Sequence, residues 1–156
     1  MDELLLSLHV LAAIVFVGPV TVAVSLFPRY AREALESGRP TGVVVLLHRI
    51  SRVYAVLGLS VPVLGIALAT RLGVLGDVWV VVSLVLTLAA ALLLAVVVLP
   101  GQARLMAAVA APEPASTVTV VDRTAARLGM ASGVFSLLWA VVVVLMVVRP
   151  GSTTGV

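Results

Sequence analysis

Two histidines are the side chains in this sequence best suited to bind a cofactor. His9 lies in the apolar stretch LHVLAAIVFVGP, residues 8 to 19, and His48 lies in an arginine-rich stretch. A neutral imidazole can ligate haem iron or copper, or it can hydrogen-bond a neighbouring helix. If an apolar helix separates the two residues, they lie about 25 to 30 Å apart along its axis. We therefore expect no bis-histidine haem site within one chain.

A methionine is the other residue that could complete a haem site with a histidine. Met146 is expected at the same depth as His9 if the first and last apolar segments pack together, and Met130 could serve His48 in the same way. Methionine at helical spacing also fills cores. The sequence leaves two interpretations open: His9 and Met146 as haem ligands, or both as structural residues.

The remaining composition excludes several kinds of chemistry. The chain has no cysteine, so thiolate metal sites, iron–sulfur clusters and cysteine nucleophiles are absent. The apolar segments carry no acidic or basic residue at depth, which argues against proton relays, ion-coupled transporters and voltage sensors. Their serines and threonines have no base and acid partners nearby, and hydroxyls in membrane helices usually bond backbone carbonyls. We predict no catalytic residue and no metal site.

The elements that position these residues are membrane helices. The chain of 156 residues is 62% hydrophobic and 11% charged, with a mean hydropathy of +1.27. About 20 apolar residues cross the hydrocarbon layer as a helix. Four segments qualify, and they predict an all-α protein, one domain over residues 1–156 folded as a four-transmembrane-helix bundle. They run approximately over 4–27, 53–70 (extended by apolar residues 42–47), 78–99 and 128–148.

The arginines indicate how the bundle lies in the membrane. The two loops rich in arginine, between the first and second segments and between the third and fourth, are expected in the cytoplasm by the positive-inside rule. The N-terminus and the C-terminus then face outward, and the +3 net charge reflects orientation rather than nucleic-acid binding. We expect a multi-pass protein of the bacterial cytoplasmic membrane. The arginines of the two cytoplasmic loops are Arg29, Arg32, Arg39, Arg49 and Arg52, and Arg104, Arg123 and Arg127.

Glycines and one proline predict how the helices pack. Helices in lipid approach closely through small residues. Gly129 and Gly133 form a GxxxG pair in the fourth segment, and Gly58 and Gly65 lie on one side of the second. We expect these glycines to pack helices within the chain, with a homodimer face as the alternative.

The Gly18-Pro19 pair predicts a bend in the first helix. Pro19 has no N–H for the carbonyl near Val15, and Gly18 eases the distortion. The bend could open a pocket beside His9, or it could only fit the helix into the bundle.

The first helix also resembles a known group. The motif Leu8-His9-Val10-Leu11-Ala12-Ala13, followed by Phe16 and Gly18, an arginine-rich loop and a second span with Gly58 and Gly65, resembles small bacterial predicted integral membrane proteins of unknown function. These are similar in turn to the copper-resistance D proteins and the HemJ-type protoporphyrinogen oxidases. The HemJ-type proteins associate a histidine of the N-terminal helix with haem b. The resemblance implies such a role for His9 alone.

Three functions remain to be compared. The first is a non-enzymatic accessory, scaffold or interaction subunit that binds the lipid bilayer and other membrane proteins or itself, with no cofactor. The second is a haem b or copper-associated redox protein that uses His9. The third, transport of a small neutral solute, depends only on the bend at Pro19. The sequence favours the first.

Overall fold

The computed structural model describes residues 2–37, 42–110 and 116–151, and within them it is helical with short turns. It contains four helices long and apolar enough to cross a membrane. This confirms the predicted all-α fold class. We refer to the four as spans one to four, which are Asp2–Glu36, Gly42–Arg71, Val78–Ala108 and Asp122–Val148. The side of the membrane that each end faces stays a prediction, and Arg39 lies outside the described residues.

Each of the first three spans is interrupted, and the fourth is continuous. Span two breaks at Leu59, and spans one and three each contain a π-helical segment. The helices are α1 (Asp2–Ala12), α2 (Gly18–Ser37), α3 (Gly42–Gly58), α4 (Ser60–Arg71), α5 (Val78–Leu92), α6 (Leu99–Ala110) and α7 (Ser116–Val148), with the π-helical segments at Ala13–Val17 and Leu93–Val98.

Both π-helical segments end two residues before a proline. Ala13–Val17 precedes Pro19, and Leu93–Val98 precedes Pro100. A proline leaves a carbonyl of the preceding turn without its usual N–H, and a local π turn lets other N–H groups reach the carbonyls there. The irregularity of span one therefore lies where Gly18 and Pro19 predicted a bend.

Span one is the central element of the bundle. Its α2 packs against α3 and α7, while its α1 packs against α4; α5 packs against α7. The main core includes Phe27, Val98, Leu105 and Phe135, all almost fully buried. This core lies toward the end of the bundle that carries most arginines, which we call the arginine-rich end. A smaller apolar cluster closes the opposite end around Trp79.

Candidate functional site

His9 lies between spans one and two. Its Nδ1 is 3.0 Å from the carbonyl oxygen of Val61. Gly65 lies one turn further along α4, and a Cβ at Gly65 would be only 2.9 Å from Cε1 of the His9 ring. The imidazole therefore rests directly on the backbone of α4. The absence of a side chain at Gly65 makes this close approach of the helices possible.

The bond to Val61 determines the tautomer of a neutral His9. A carbonyl oxygen only accepts, so Nδ1 carries the proton and donates it. The lone pair of the neutral ring is then on Nε2. A histidine that binds a metal through one ring nitrogen usually donates its other N–H to a carboxylate, a backbone carbonyl or water. His9 thus combines a structural contact with a nitrogen that can act as a ligand.

The methionines lie in different surroundings. Met146 packs against the apolar cluster that contains Ala69 and Trp79, and its pairing with His9 on a haem stays a prediction. Met130 is 73% exposed. Met106 is the methionine that lies beside His48, in a groove described below.

The glycines divide into two groups. A Cβ at Gly58, Gly129 or Gly133 would have no neighbouring atom within 4 Å, whereas Gly65 supports His9. Of the four glycines that the sequence suggested for helix packing, Gly65 is thus the one with a close neighbour, and Gly58, Gly129 and Gly133 face open space. Gly101 is a close-packing glycine that the sequence did not suggest. A Cβ there would be 2.7 Å from Cδ2 of Leu128.

A second interhelical hydrogen bond compensates for a proline. Pro28 lies inside α2 and has no N–H for the carbonyl of Val24 four residues earlier. The buried hydroxyl of Ser132 in α7 lies 2.8 Å from that carbonyl and 2.8 Å from the carbonyl of Leu128.

A buried polar chain joins spans two and three near the arginine-rich end. The hydroxyl of Ser51 donates to the carbonyl of Leu47 at 2.9 Å, and its oxygen accepts from Nε2 of Gln102 at 3.2 Å. The amide oxygen of Gln102 then faces Nδ1 of His48 at 3.0 Å. Ser51 and Gln102 are fully buried. Each group in this chain donates to the next, so Nδ1 of His48 is a donor and its Nε2 remains unbonded within the described residues.

His48 also lines a cavity of about 600 Å³ on the exposed side of α3. We call this cavity the His48 groove. Its basic residues are His48, Arg49 and Arg52, and its apolar walls include Val53, Val56 and Met106. None of its lining residues is acidic. The ion pairs within the described parts of the chain involve other arginines, Arg32 with Asp122 and Arg71 with Asp2.

Two further cavities lie between spans. One, of about 540 Å³, lies between spans one and four. It is lined by basic and acidic residues such as Arg29 and Glu33, and also by Gly129. The other, of about 50 Å³, lies inside the bundle beside Tyr54 and Trp139. The indole N–H of Trp139 is buried and has no hydrogen-bond partner among the described residues.

Comparison with known proteins gives one family. Residues 3–150 match the family described as predicted integral membrane protein (DUF2269), which is nearly the whole chain. No curated protein and no solved structure matches the chain. The match confirms the resemblance inferred from the first helix, to a membrane protein family of unknown function.

Proposed function

The chain belongs to this family of predicted integral membrane proteins, and we propose that it acts as a non-catalytic interaction subunit, binding another membrane helix through the face of α7 that contains Gly129 and Gly133. The observation that supports the proposal is the open space in front of these two glycines. Met130 and Leu137 flank them and are 73% and 65% exposed. The face thus combines two small residues with large apolar neighbours.

The physics of helix association in lipid explains why such a face suits a partner helix. Lipid tails are as apolar as leucine, so membrane helices gain little from hydrophobicity and associate through close backbone packing. Gly65 and Gly101 are already in close contact with side chains of neighbouring spans. Gly129 and Gly133 keep this capacity available for a helix outside the chain, from a partner protein or from a second copy.

Substitution of Gly133 by Leu tests the proposal. The new side chain meets no atom of the chain within 4 Å of its Cβ, so the fold and the unfolding midpoint are expected to stay unchanged, while cross-linked complexes in native membranes are lost. Val134→Leu on the same helix is the matched control, because Val134 is also exposed but lies about 100° around the helix from Gly133. Two differently tagged copies distinguish self-association from a separate partner. Cross-linked species that persist in Gly133→Leu contradict the proposal.

The tautomer of His9 favours a second candidate, a haem-associated redox protein. Haem b supplies one-electron chemistry when bound. Nε2 of His9 would hold the haem iron, with Nδ1 held by the Val61 carbonyl. Met146 is the residue that the sequence suggests as a second ligand, and it packs against the apolar cluster around Trp79. Copper has less support, since the described residues contain no group of three or more histidine, cysteine or acidic side chains that could hold a metal ion.

A visible spectrum of the detergent-purified protein separates the two candidates. Haem ligation by His9 predicts a Soret band that is lost in His9→Ala and retained in His48→Ala. Circular dichroism of each variant verifies that the helices remain folded. A colourless, folded wild-type protein refutes the haem candidate and leaves the interaction subunit unaffected.

A further inference from the structure

The His48 groove runs along one face of α3 from Val45 to Leu57. These residues span about 18 Å of helix at 1.5 Å per residue. The basic residues lie in the half nearer the arginine-rich end, and the apolar residues Val53, Val56 and Leu57 continue toward the middle of span two. The groove thus has a cationic part followed by an apolar part, in the direction that leads from the membrane surface into the hydrocarbon.

The cationic part of the groove has two arginines without an acidic partner among the described residues, and one histidine ring that is held in place. Arg49 and Arg52 are exposed and make no ion pair within the described residues. His48 is held by Gln102, which is itself held by Ser51. The ring therefore has a defined position at the groove, where Nε2 can accept a hydrogen bond from a hydroxyl of a bound molecule.

We propose that the His48 groove binds one anionic phospholipid. The phosphate lies between Arg49 and Arg52, whose guanidinium groups make charge-assisted hydrogen bonds to its oxygens. One acyl chain lies along Val53, Val56 and Leu57. The cavity of about 600 Å³ falls within the range typical of ligand sites, roughly 300–1,000 Å³.

The apolar half of the groove identifies a lipid rather than a soluble anion. Val53 is 47% exposed and Val56 is 68% exposed. Both belong to a helix of span length and hydropathy, so their exposed surfaces suit contact with hydrocarbon. A soluble phosphate compound would use the arginines and leave this surface uncovered. Basic pockets between membrane helices at the membrane surface bind the headgroups of anionic lipids by the same physics.

The protein is first reconstituted into phosphatidylcholine vesicles, either with or without added phosphatidylglycerol. It is then extracted from the vesicles, and the phosphatidylglycerol that stays bound to it is measured. Native mass spectrometry counts retained lipids, and thermal unfolding reports stabilisation. Arg49→Gln with Arg52→Gln is expected to lower the apparent affinity by about fivefold per arginine, about 25-fold together. The matched control is Arg123→Gln with Arg127→Gln, which removes the same charge from the arginine-rich end outside the groove.

Selective loss of phosphatidylglycerol in the Arg49 and Arg52 variant, with retention in the control, supports the site. Equal loss in both variants shows general attraction to the charged surface and overturns it, as does retention in both. Inorganic phosphate that displaces the lipid, or that stabilises the protein as strongly, shows a soluble anion as the occupant and also overturns it. None of these outcomes depends on the Gly133 face.

Discussion

The hydroxyl of Ser132 is predicted to stabilise the bundle by bonding the carbonyl that Pro28 leaves without a helical partner. In Ser132→Ala the carbonyl of Val24, a residue that is 1% exposed, loses its side-chain donor. Because residue 28 is proline, this carbonyl has no helical N–H to replace that donor. Leu128, the other carbonyl within reach, keeps the N–H of residue 132 as its helical partner. The substitution therefore leaves one carbonyl unsatisfied, not two.

The expected loss in the free energy of unfolding is about 1–2 kcal/mol. A buried polar group without a partner costs about 1–3 kcal/mol. Interhelical hydrogen bonds in membrane proteins average about 0.6 kcal/mol, with a maximum near 1.7, which brings the estimate to the lower part of that range. The assay is reversible unfolding in mixed micelles, followed by circular dichroism.

A double-mutant cycle with Pro28→Ala isolates the mechanism. Alanine at position 28 supplies the missing N–H, so Ser132→Ala in that background is expected to cost no more than about 0.5 kcal/mol. Ser136→Ala is the matched control, because the hydroxyl of Ser136 bonds only the carbonyl of Ser132 in its own helix at 2.9 Å. A loss in Ser132→Ala no larger than in the control, or unchanged in the Pro28→Ala background, refutes the reasoning.

Three other predictions are checked in the same unfolding assay. Ser83→Ala is expected to be neutral or stabilising by up to about 1 kcal/mol, because the Ser83 hydroxyl is fully buried without a partner among the described residues. A clear destabilisation would show that this hydroxyl has a hydrogen-bond partner in the folded protein. Gly65→Ala is expected to displace the His9 ring from Val61 and to lower the free energy of unfolding by about 1–2 kcal/mol. Gly58→Ala is the control, because a Cβ at Gly58 meets open space, and it is expected to change that free energy by less than about 0.5 kcal/mol. Similar values for the two variants would contradict the close contact at Gly65. Gln102→Leu is expected to lower the free energy of unfolding by about 1–3 kcal/mol, because it breaks the chain of hydrogen bonds between His48 and Ser51. Ser51→Ala is then expected to cost less in the Gln102→Leu background than in the wild type. Equal costs in the two backgrounds would show that the three residues act independently.

Parts of the candidate site could be anticipated and parts could not. His9 stood out because a lone imidazole in an apolar run needs a partner, but its acceptor, Val61, is a backbone carbonyl 52 residues away. Pro28 and Ser132 were both visible as residue types. The hydroxyl of Ser132 reaches the carbonyl of Val24, which is 108 residues away in the sequence. This contact depends on the rotation of α7 about its axis, which a nearly uniform apolar surface does not indicate.

The four spans follow from the sequence alone, because hydropathy is a local property and a membrane leaves the backbone few alternatives to the helix. The same reasoning located the irregularity near Pro19, since the loss of an N–H is written in the residue type. Only the tertiary structure decided which glycines pack, which carbonyls receive side-chain donors and which arginines border a groove. Those depend on which helices become neighbours and which faces they turn toward each other, and in lipid that choice depends on side-chain fit over the whole bundle.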